Sequence, residues 1–455
     1  MPITVMEDFY VHPRSRQSFF SGSAIHKEKK QWGEEHWIVN KEYCGKKLLL
    51  KKNRRCSLHS HREKDEVFYI QKGRVLLELG GEKRELTPGD FVHIPATTPH
   101  RFTGLEDSEM FEFSTTHSEE DSYRTEYSGH VEQERYNRQV ALIRSFKKCS
   151  VLVVGDVMLD TYFSGSVDRI SPEAPIPVVH FREKMSFPGG AANAARNIAA
   201  LGARATLLGF TGDDDAGREL NGLVKREKVR SLLLADAQRS TTQKQRIVAG
   251  SSHQIVRLDI EEQSSPSPAQ VRSLLRRIER ELSKHDILLL SDYAKGVLSP
   301  AVLRSCVALA RRKKKPVVLD PKPLDSSYLA AARGVTLMTP NRREASLLVG
   351  RADAAPAEAG KLLARALKTD VLLTLGADGM FLVRSRGGSE HFPSQVREVS
   401  DVSGAGDTVV AVLAVALGLK GKLLDAVDLS NRAAGIVVGK AGTATVTPAE
   451  LLEAL

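Results

Sequence analysis

The chain has 455 residues, of which 41% are hydrophobic and 27% charged, with a formal net charge of +10. That length calls for two or three domains, and the composition excludes a disordered or fibrous protein. No apolar run is long enough to span a bilayer, and the opening MPITVMEDFYVHPRSRQSFF lacks the segments of a signal peptide.

Residues 37–116 read as short strands broken by turns: KLLLKK, EVFYIQKG, RVLLELGG, DFVHIP and MFEFSTT, punctuated by Gly73, Gly80, Gly81, Pro88 and Gly89. With no helical period between them, they predict an all-β antiparallel barrel or jelly roll. From 118 to 148 the composition turns polar, and the pattern VALIRSF predicts a helix-containing linker. Beyond it, VLVVGD, ATLLGF, ILLLSD, PVVLDP, VTLMTPN and VLLTLG are apolar runs ending in Gly, Asp, Pro or Asn. Helical patterns such as AANAARNIAALG and AVLRSCVALARRKKK separate most of them. Continuous apolar strands alternating with helices predict an α/β fold, a mostly parallel sheet covered on both faces. Ligands of such sheets bind at the carboxyl ends of the strands, where these polar residues cluster. SSPSPAQ, from Ser264, reads as a short loop and helix cap.

The positive charge is densest at Arg311, Arg312, Lys313, Lys314 and Lys315, at the end of a helical pattern. There it complements the negative end of the helix dipole, and no aromatic residues are interleaved for base stacking, so no nucleic acid and no membrane is expected as a partner. Small anionic ligands are sufficient reason for a basic protein. Cys44, Cys56, Cys149 and Cys306 have neither metal-finger nor disulfide-framework spacing, which points to a reducing, cytoplasmic location.

The segment DVSGAGDT, residues 401–408, runs into the apolar helix VVAVLAVALG. Gly404 and Gly406 allow close approach of a ligand, and the amides at the helix start form an anion site. Asp407 in the same turn is placed to take a proton from an attacking alcohol. Alone, this could be a capped glycine turn. With VVGDVMLD (Asp156, Asp160), PGGAANAARNIAALG (from Pro188), TPNRRE (Asn341, Glu344) and TLGADG (Thr374, Gly376, Gly379), it forms an ordered set of five motifs.

In that set, residues 149–455 resemble the ribokinase-like (PfkB) carbohydrate kinases. GSVDRISPEAPIPVV, TTQKQRIVAGSSHQIVRLD, LSDYAKGVLS, LDPK and VVGKAGTATV narrow the resemblance to the D-glycero-β-D-manno-heptose 7-phosphate kinases, which make the 1,7-bisphosphate on the route to ADP-heptose for surface glycans. The sequence stops at Leu455, so the expected form is the stand-alone kinase without an adenylyltransferase. The resemblance implies that Asp407 deprotonates the anomeric hydroxyl while Gly404, Ala405 and Gly406 form the anion hole. It implies ATP with Mg²⁺, the metal organised by Asn341 and Glu344, and allows K⁺ near the anion hole. Thr374, Gly376, Gly379 and Asn431 would lie around the nucleotide. Asp156, Asp160, Gly189, Gly190 and Asn193 would hold sugar hydroxyls, and the cations Arg169, Lys244 and Arg246 would sit in a small β lid as candidates for the 7-phosphate. A homodimer through the lid is the family's usual arrangement.

His59, His61 and Glu66, with Gly73, then Gly89, Pro95 and His100, follow a cupin pattern. On a strand, His59 and His61 point to one face, and three imidazoles with one carboxylate suit Mn²⁺, Fe²⁺, Zn²⁺ or Ni²⁺. Residues 28–124 resemble small cupins related to type II mannose-6-phosphate isomerases and D-lyxose isomerases. Thr97 departs from the Gly usual in the second motif, and Gly104 replaces a frequent Asn. Glu78, Glu112 and Lys52 are candidate helpers for an isomerase; a sugar-binding or regulatory module is the alternative. The expected organisation is a cupin over 1–124, a linker over 125–148 and a kinase over 149–455.

Overall fold

The computed structural model of the protein describes residues 10–11, 18–19, 25–126, 129–130, 133–250, 253–261, 266–325, 327–351, 353–395, 401–440 and 442–455. The chain divides into two compact units, Met1–Asn137 and Arg138–Leu455.

In the first unit one sheet runs in the order Phe91–Ile94, Glu66–Lys72, Ser108–Thr115, Tyr43–Leu50, Gly33–Asn40, His26–Lys30. A second is built on Glu82–Leu86, Val75–Leu79 and His100–Gly104, with Leu58–Ser60 paired to the last of these. Strand alternation sorts the side chains: in Ser108–Thr115, Met110 and Glu112 are buried while Phe113 is exposed. Leu48, Ile70, Leu77, Phe102 and Met110 fill the core.

The two departures from the cupin pattern have different consequences. Thr97 has φ +68, a conformation that strains a β-branched residue, and its N–H donates to His61 O at 2.5 Å. Gly104 is closely packed, since a Cβ there would lie 2.8 Å from Lys51 O, so this backbone has no room for Asn.

The second unit is built on a nine-stranded sheet in the order Arg230–Ser231, Arg204–Leu208, Ser150–Gly155, Ile287–Ser291, Val317–Asp320, Leu337–Met338, Asp370–Thr374, Met380–Val383, Ser389–Phe392. The strands are parallel except for the last two. Both faces are covered. Val151 and Val153 pack with residues of the helices Ala191–Ala200, Ala405–Gly418 and Leu423–Val438, whereas Leu152 and Val154 pack with Pro268–Leu282, Pro300–Arg312 and Pro356–Leu367. That is why the strands read as unbroken apolar runs.

Ser267 and Gln270 form a capping box at the start of Pro268–Leu282; residues 264–265 of the loop expected there lie outside the described residues. Arg311 and Arg312 occupy the last turn of Pro300–Arg312, and Arg312 pairs with Glu279. All four cysteines are buried and free, and burial pushes the thiols of Cys56, Cys149 and Cys306 up to about 12. Among the described residues no helix is long and apolar enough to cross a membrane.

A separate four-stranded sheet, ordered Pro177–Gly190, Val157–Ile170, Gln243–Ala249, His253–Ile260, forms the lid. Its strands are mostly half-buried or exposed, so they lack the apolar signature of the central sheet.

The strain at Thr97 is testable. Thr97→Gly is expected to stabilise the first unit by about 1 kcal/mol, while Thr97→Ala has a smaller effect. Thermal or denaturant unfolding would check this, and a less stable glycine variant would contradict the account.

Candidate functional site

The helix Ala405–Gly418 is apolar on every side and is buried from Asp407 to Ala416. It starts at Gly404, where φ is +80 and a Cβ would lie 2.8 Å from Asn193 Nδ2. Both the conformation and the close approach require glycine. Asp407, 5% exposed, accepts hydrogen bonds from the Tyr293 hydroxyl to Oδ1 and from Asn193 Nδ2 to Oδ2, each at 2.7 Å. Burial pushes its carboxyl up to about 6, against the pull of these two bonds. The first amides of such a helix have no intrahelical acceptors and face an incoming anion.

Asp156 holds the loop that carries Tyr293. Its Oδ2 accepts from the amides of Tyr293 (2.9 Å) and Lys295 (3.0 Å), and its Oδ1 accepts from Val297 (3.0 Å). Asp160, on the lid, pairs with Arg246 at 2.9 Å. Gly189 lies against it, since a Cβ there would be 2.2 Å from Asp160 Oδ2, and Gly190, at φ +57, turns the chain into Ala191–Ala200, where Asn193 sits.

Beside Asp407's helix lies a cavity of about 190 Å³ lined by Asp292, Tyr293, Asp320, Lys322, Asn341, Glu344, Thr374 and Gly406, among others. Asn341 and Glu344 form a reciprocal capping box at the start of Arg342–Val349, each side chain accepting from the other's amide at 2.9 Å. Glu344 Oε1 also accepts from Lys322 Nζ at 2.9 Å. Burial raises Asp292 to about 7, aided by the Asp156 charge. Burial also raises Asp320 well above the carboxylate range, aided by Asp407 and Glu344. Carboxylates gathered this closely suit a divalent cation, which would offset their repulsion.

Gly376, at φ +62, opens the turn after Asp370–Thr374. Gly379, at φ +82, closes it, where a Cβ would lie 2.1 Å from Phe392 O. Asn431 is buried and donates to Pro393 O at 2.8 Å.

In the first unit, pairing of His100 with His59 across neighbouring strands brings their ring centroids to 4.5 Å. The ligand atoms of His59, His61 and His100 all lie within 4.8 Å of one another. The Nδ1 atoms face the carbonyls of Ser57 (2.8 Å), Asp121 (2.8 Å) and Thr98 (3.0 Å) respectively. A carbonyl only accepts, so Nδ1 carries the proton and Nε2 keeps its lone pair. Burial lowers His59 to about 4 and also lowers His61, which favours the neutral, ligating form.

Glu66 Oε2 comes within 3.0 Å of His100 Nε2, yet neither buried atom has a hydrogen-bond partner. Two lone-pair donors aimed at one point fit a divalent metal better than each other. Burial would raise the Glu66 carboxyl, but the Lys64 ammonium beside it outweighs that and holds it well below the usual range.

His59, His61 and Glu66 open on a cavity of about 1110 Å³. Lys64 Nζ donates to both Glu66 and Glu112 at 2.5 Å. Lys46 lies 3.5 Å from Glu35, 3.8 Å from Glu112 and 3.9 Å from the centre of the Trp37 ring.

The model for the pfkB family carbohydrate kinases matches residues 148–450, and a cupin domain model matches residues 48–114. The chain belongs to the pfkB family of carbohydrate kinases. A D-beta-D-heptose 7-phosphate kinase of Bordetella bronchiseptica (strain ATCC BAA-588 / NCTC 13252 / RB50) is 44% identical over 306 residues, covering 67% of this chain and 95% of that one. A bifunctional protein HldE of Caulobacter sp. (strain K31) is 47% identical over 317 residues; the match covers 68% of this chain and 64% of that relative's length. Among solved structures, phosphofructokinase-2 from Escherichia coli in complex with potassium has TM-score 0.56 at 21% identity, covering 67% of this chain and 96% of that one. A ribokinase of Arabidopsis thaliana complexed with ribose and ATP has TM-score 0.52 at 18% identity, covering 67% and 98%. Both share the ribokinase-like fold.

Within this carbohydrate kinase, the structure brings Asp407 to Asn193, and places Asn341, Glu344, Thr374 and Gly406 around one cavity. Asn431 bonds backbone, and Asp156 braces a loop. Tyr293, Asp292, Asp320 and Lys322 were not singled out in the sequence, although LSDYAKGVLS and LDPK contain them. Of the cupin helpers, Glu112 lines the cavity. Glu78 pairs with Arg101 at 2.7 Å and Lys52 is exposed, so neither lines it. Lys46 and Lys64 also went unread, because buried lysines have no sequence signal of their own.

The metal set predicts that the purified protein binds one divalent transition metal per chain. His100→Ala should weaken binding at least tenfold, measured by titration with Mn²⁺ and by elemental analysis. Undiminished metal content would refute this ligand assignment.

Proposed function

We propose that the second unit transfers the γ-phosphoryl group of ATP to the C1 hydroxyl of D-glycero-β-D-manno-heptose 7-phosphate, giving the 1,7-bisphosphate for ADP-heptose and surface-glycan synthesis. The observation that carries the reading is the buried Asp407 carboxylate, held by Tyr293 and Asn193 at the start of an apolar helix. The 44% identity to a D-beta-D-heptose 7-phosphate kinase along nearly its whole length supports the substrate.

In this reading Asp407 takes the hydroxyl proton, and the amides of Gly404, Ala405 and Gly406 face the transferring phosphoryl group. Mg²⁺ bound with ATP supplies charge neutralisation, and Asn341, Glu344 and the nearby carboxylates would hold it through its water shell. Thr374, Gly376, Gly379 and Asn431 border the nucleotide. Asp156, Asp160, Gly189, Gly190, Asn193 and Arg246 border the sugar. K⁺ near the anion hole, a cytoplasmic location and a homodimer through the lid belong to the same proposal. Exposed Ile170, Phe181, Val256 and Leu258 on the lid support the dimer.

For the cupin, the reading is a metal-dependent sugar-phosphate isomerase. It is favoured over a plain binding module by the buried Lys64–Glu112 pair beside the metal set, an acid and a base that binding alone does not need. The metal, when bound, would polarise a sugar carbonyl. Incubation with Mn²⁺ and candidate phosphosugars in D₂O should place deuterium at C1 or C2; if no solvent hydrogen enters, the isomerase reading falls and the binding module stands.

The kinase test is to incubate the protein with ATP, Mg²⁺ and sugar 7- and 6-phosphates and to identify products by mass and phosphorus NMR. A general base with its pKa at about 6 must be deprotonated, so kcat/KM should fall as pH drops through 6 and level off above it. Asp407→Asn should keep ATP binding and lose about 10²–10⁴-fold in turnover. Near-normal turnover in that variant would exclude Asp407 as the base.

A further inference from the structure

We infer that Arg239 anchors the phosphate group that the acceptor sugar already carries. The inference rests on the proposal that the acceptor is a sugar phosphate, and it assigns the subsite that recognises it.

Arg239 is 9% exposed. Its Nη2 donates to Lys295 O at 2.9 Å, and its guanidinium lies 5.9 Å from the centre of the buried Phe210 ring. Nη1 is buried and has no hydrogen-bond partner, and no carboxylate forms an ion pair with Arg239 among the described residues. A guanidinium cannot shed its proton to escape this situation, as a buried lysine or carboxylate can. A buried charge without a counter-ion is costly. The site is therefore incomplete without an anion.

Its place in the fold suits the acceptor. Phe210 follows the strand Arg204–Leu208, and Lys295 lies in the loop after Ile287–Ser291, so Arg239 sits at the carboxyl ends of the sheet strands, where ligands bind. Lys295 and Tyr293 hang from the same Asp156 carboxylate, and the Tyr293 hydroxyl holds Asp407. The backbone around Arg239 is also fixed. Thr241 N and Oγ1 both donate to Asp214, at 2.8 and 2.6 Å, and a Cβ at Gly212 would lie 2.7 Å from Arg239 O.

The other nearby cations are mostly taken. Arg246 pairs with Asp160, Lys295 pairs with Glu261, and Arg169 is exposed. Lys244 is half-buried opposite Asp160 and, among the described residues, has no ion pair within 4.0 Å. It is the natural second contact. A planar fork and a point charge together suit a phosphate dianion.

The experiment compares wild type, Arg239→Gln and Arg239→Lys in the full chain, with a heptose 7-phosphate and the same heptose without phosphate as acceptors. If wild type phosphorylates neutral sugars but no sugar phosphate, the proposed substrate class falls, and this inference with it. If it accepts the sugar phosphate, Arg239→Gln should raise KM for that acceptor at least 100-fold, with kcat within threefold and KM for ATP unchanged. Activity on the unphosphorylated heptose should match wild type, and inhibition by inorganic phosphate competing with the acceptor should weaken in parallel. Should the glutamine variant not fold, as judged by circular dichroism, Arg239→Lys carries the test with a roughly tenfold rise in KM, because it keeps the charge and loses the fork. An equal loss on both acceptors, or an unchanged KM for the sugar phosphate, would overturn the assignment.

Discussion

A carboxylate held in the interior by two neutral donors governs the second unit. Asp407 lies between Tyr293 and Asn193, 114 and 214 residues away in the chain, and it ionises with difficulty because burial opposes the charge. Desolvation makes it a stronger base than an exposed aspartate, and that is useful only if the geometry cannot relax. Each support has its own brace. Asn193 is fixed in the first turn after Gly190, Tyr293 hangs from Asp156, and the helix carrying Asp407 is enclosed on all sides. Parallel strands bring all three to one edge of the sheet, so the topology performs an assembly that no local segment could.

Much of that architecture could be read from the sequence, and the reason is burial on both faces. Runs such as VLVVGD and ILLLSD are strands because each alternate residue faces a different helical layer, with Val151 and Val153 on one side and Leu152 and Val154 on the other. The lid gave no such signal, since Gln243–Ala249 is half-buried throughout. Asp407, Asn341 and Glu344 were legible as residues of helix starts, which leave local marks in glycine and capping residues. Tyr293 and Asp320 were not, because their meaning lies in what they meet across the fold. The Asn341–Glu344 pair shows the limit of motif reading: the same two side chains cap a helix and line the cavity, so neither role excludes the other.

The cupin unit relies on a different device. Each histidine of the set is fixed through Nδ1 by a backbone carbonyl, and the carbonyls belong to Ser57, Asp121 and Thr98. Asp121 also gathers the amides of Arg62, Glu63 and Lys64, so the segment after His61 is held by one carboxylate. Thr97, strained at φ +68, keeps the following turn in register through its bond to His61 O. A barrel needing only to stay folded would place an unstrained glycine there, and the departure leaves the three histidines together.

Beyond the metal set, Glu35, Lys46, Glu112, Lys64 and Glu66 form a line of alternating charge through the interior. Such ion pairs are poor sources of stability, because desolvation of both partners offsets most of their attraction. Well-packed apolar residues would serve the fold as well. The line ends on Glu66, whose other oxygen faces His100. Each charge steadies the other against burial: Lys64 is held above its ordinary range and Glu112 below its own, so the pair stays ionised. An ionised pair on the cavity wall presents fixed charge to whatever occupies the cavity, a feature that the packing of the barrel does not itself require.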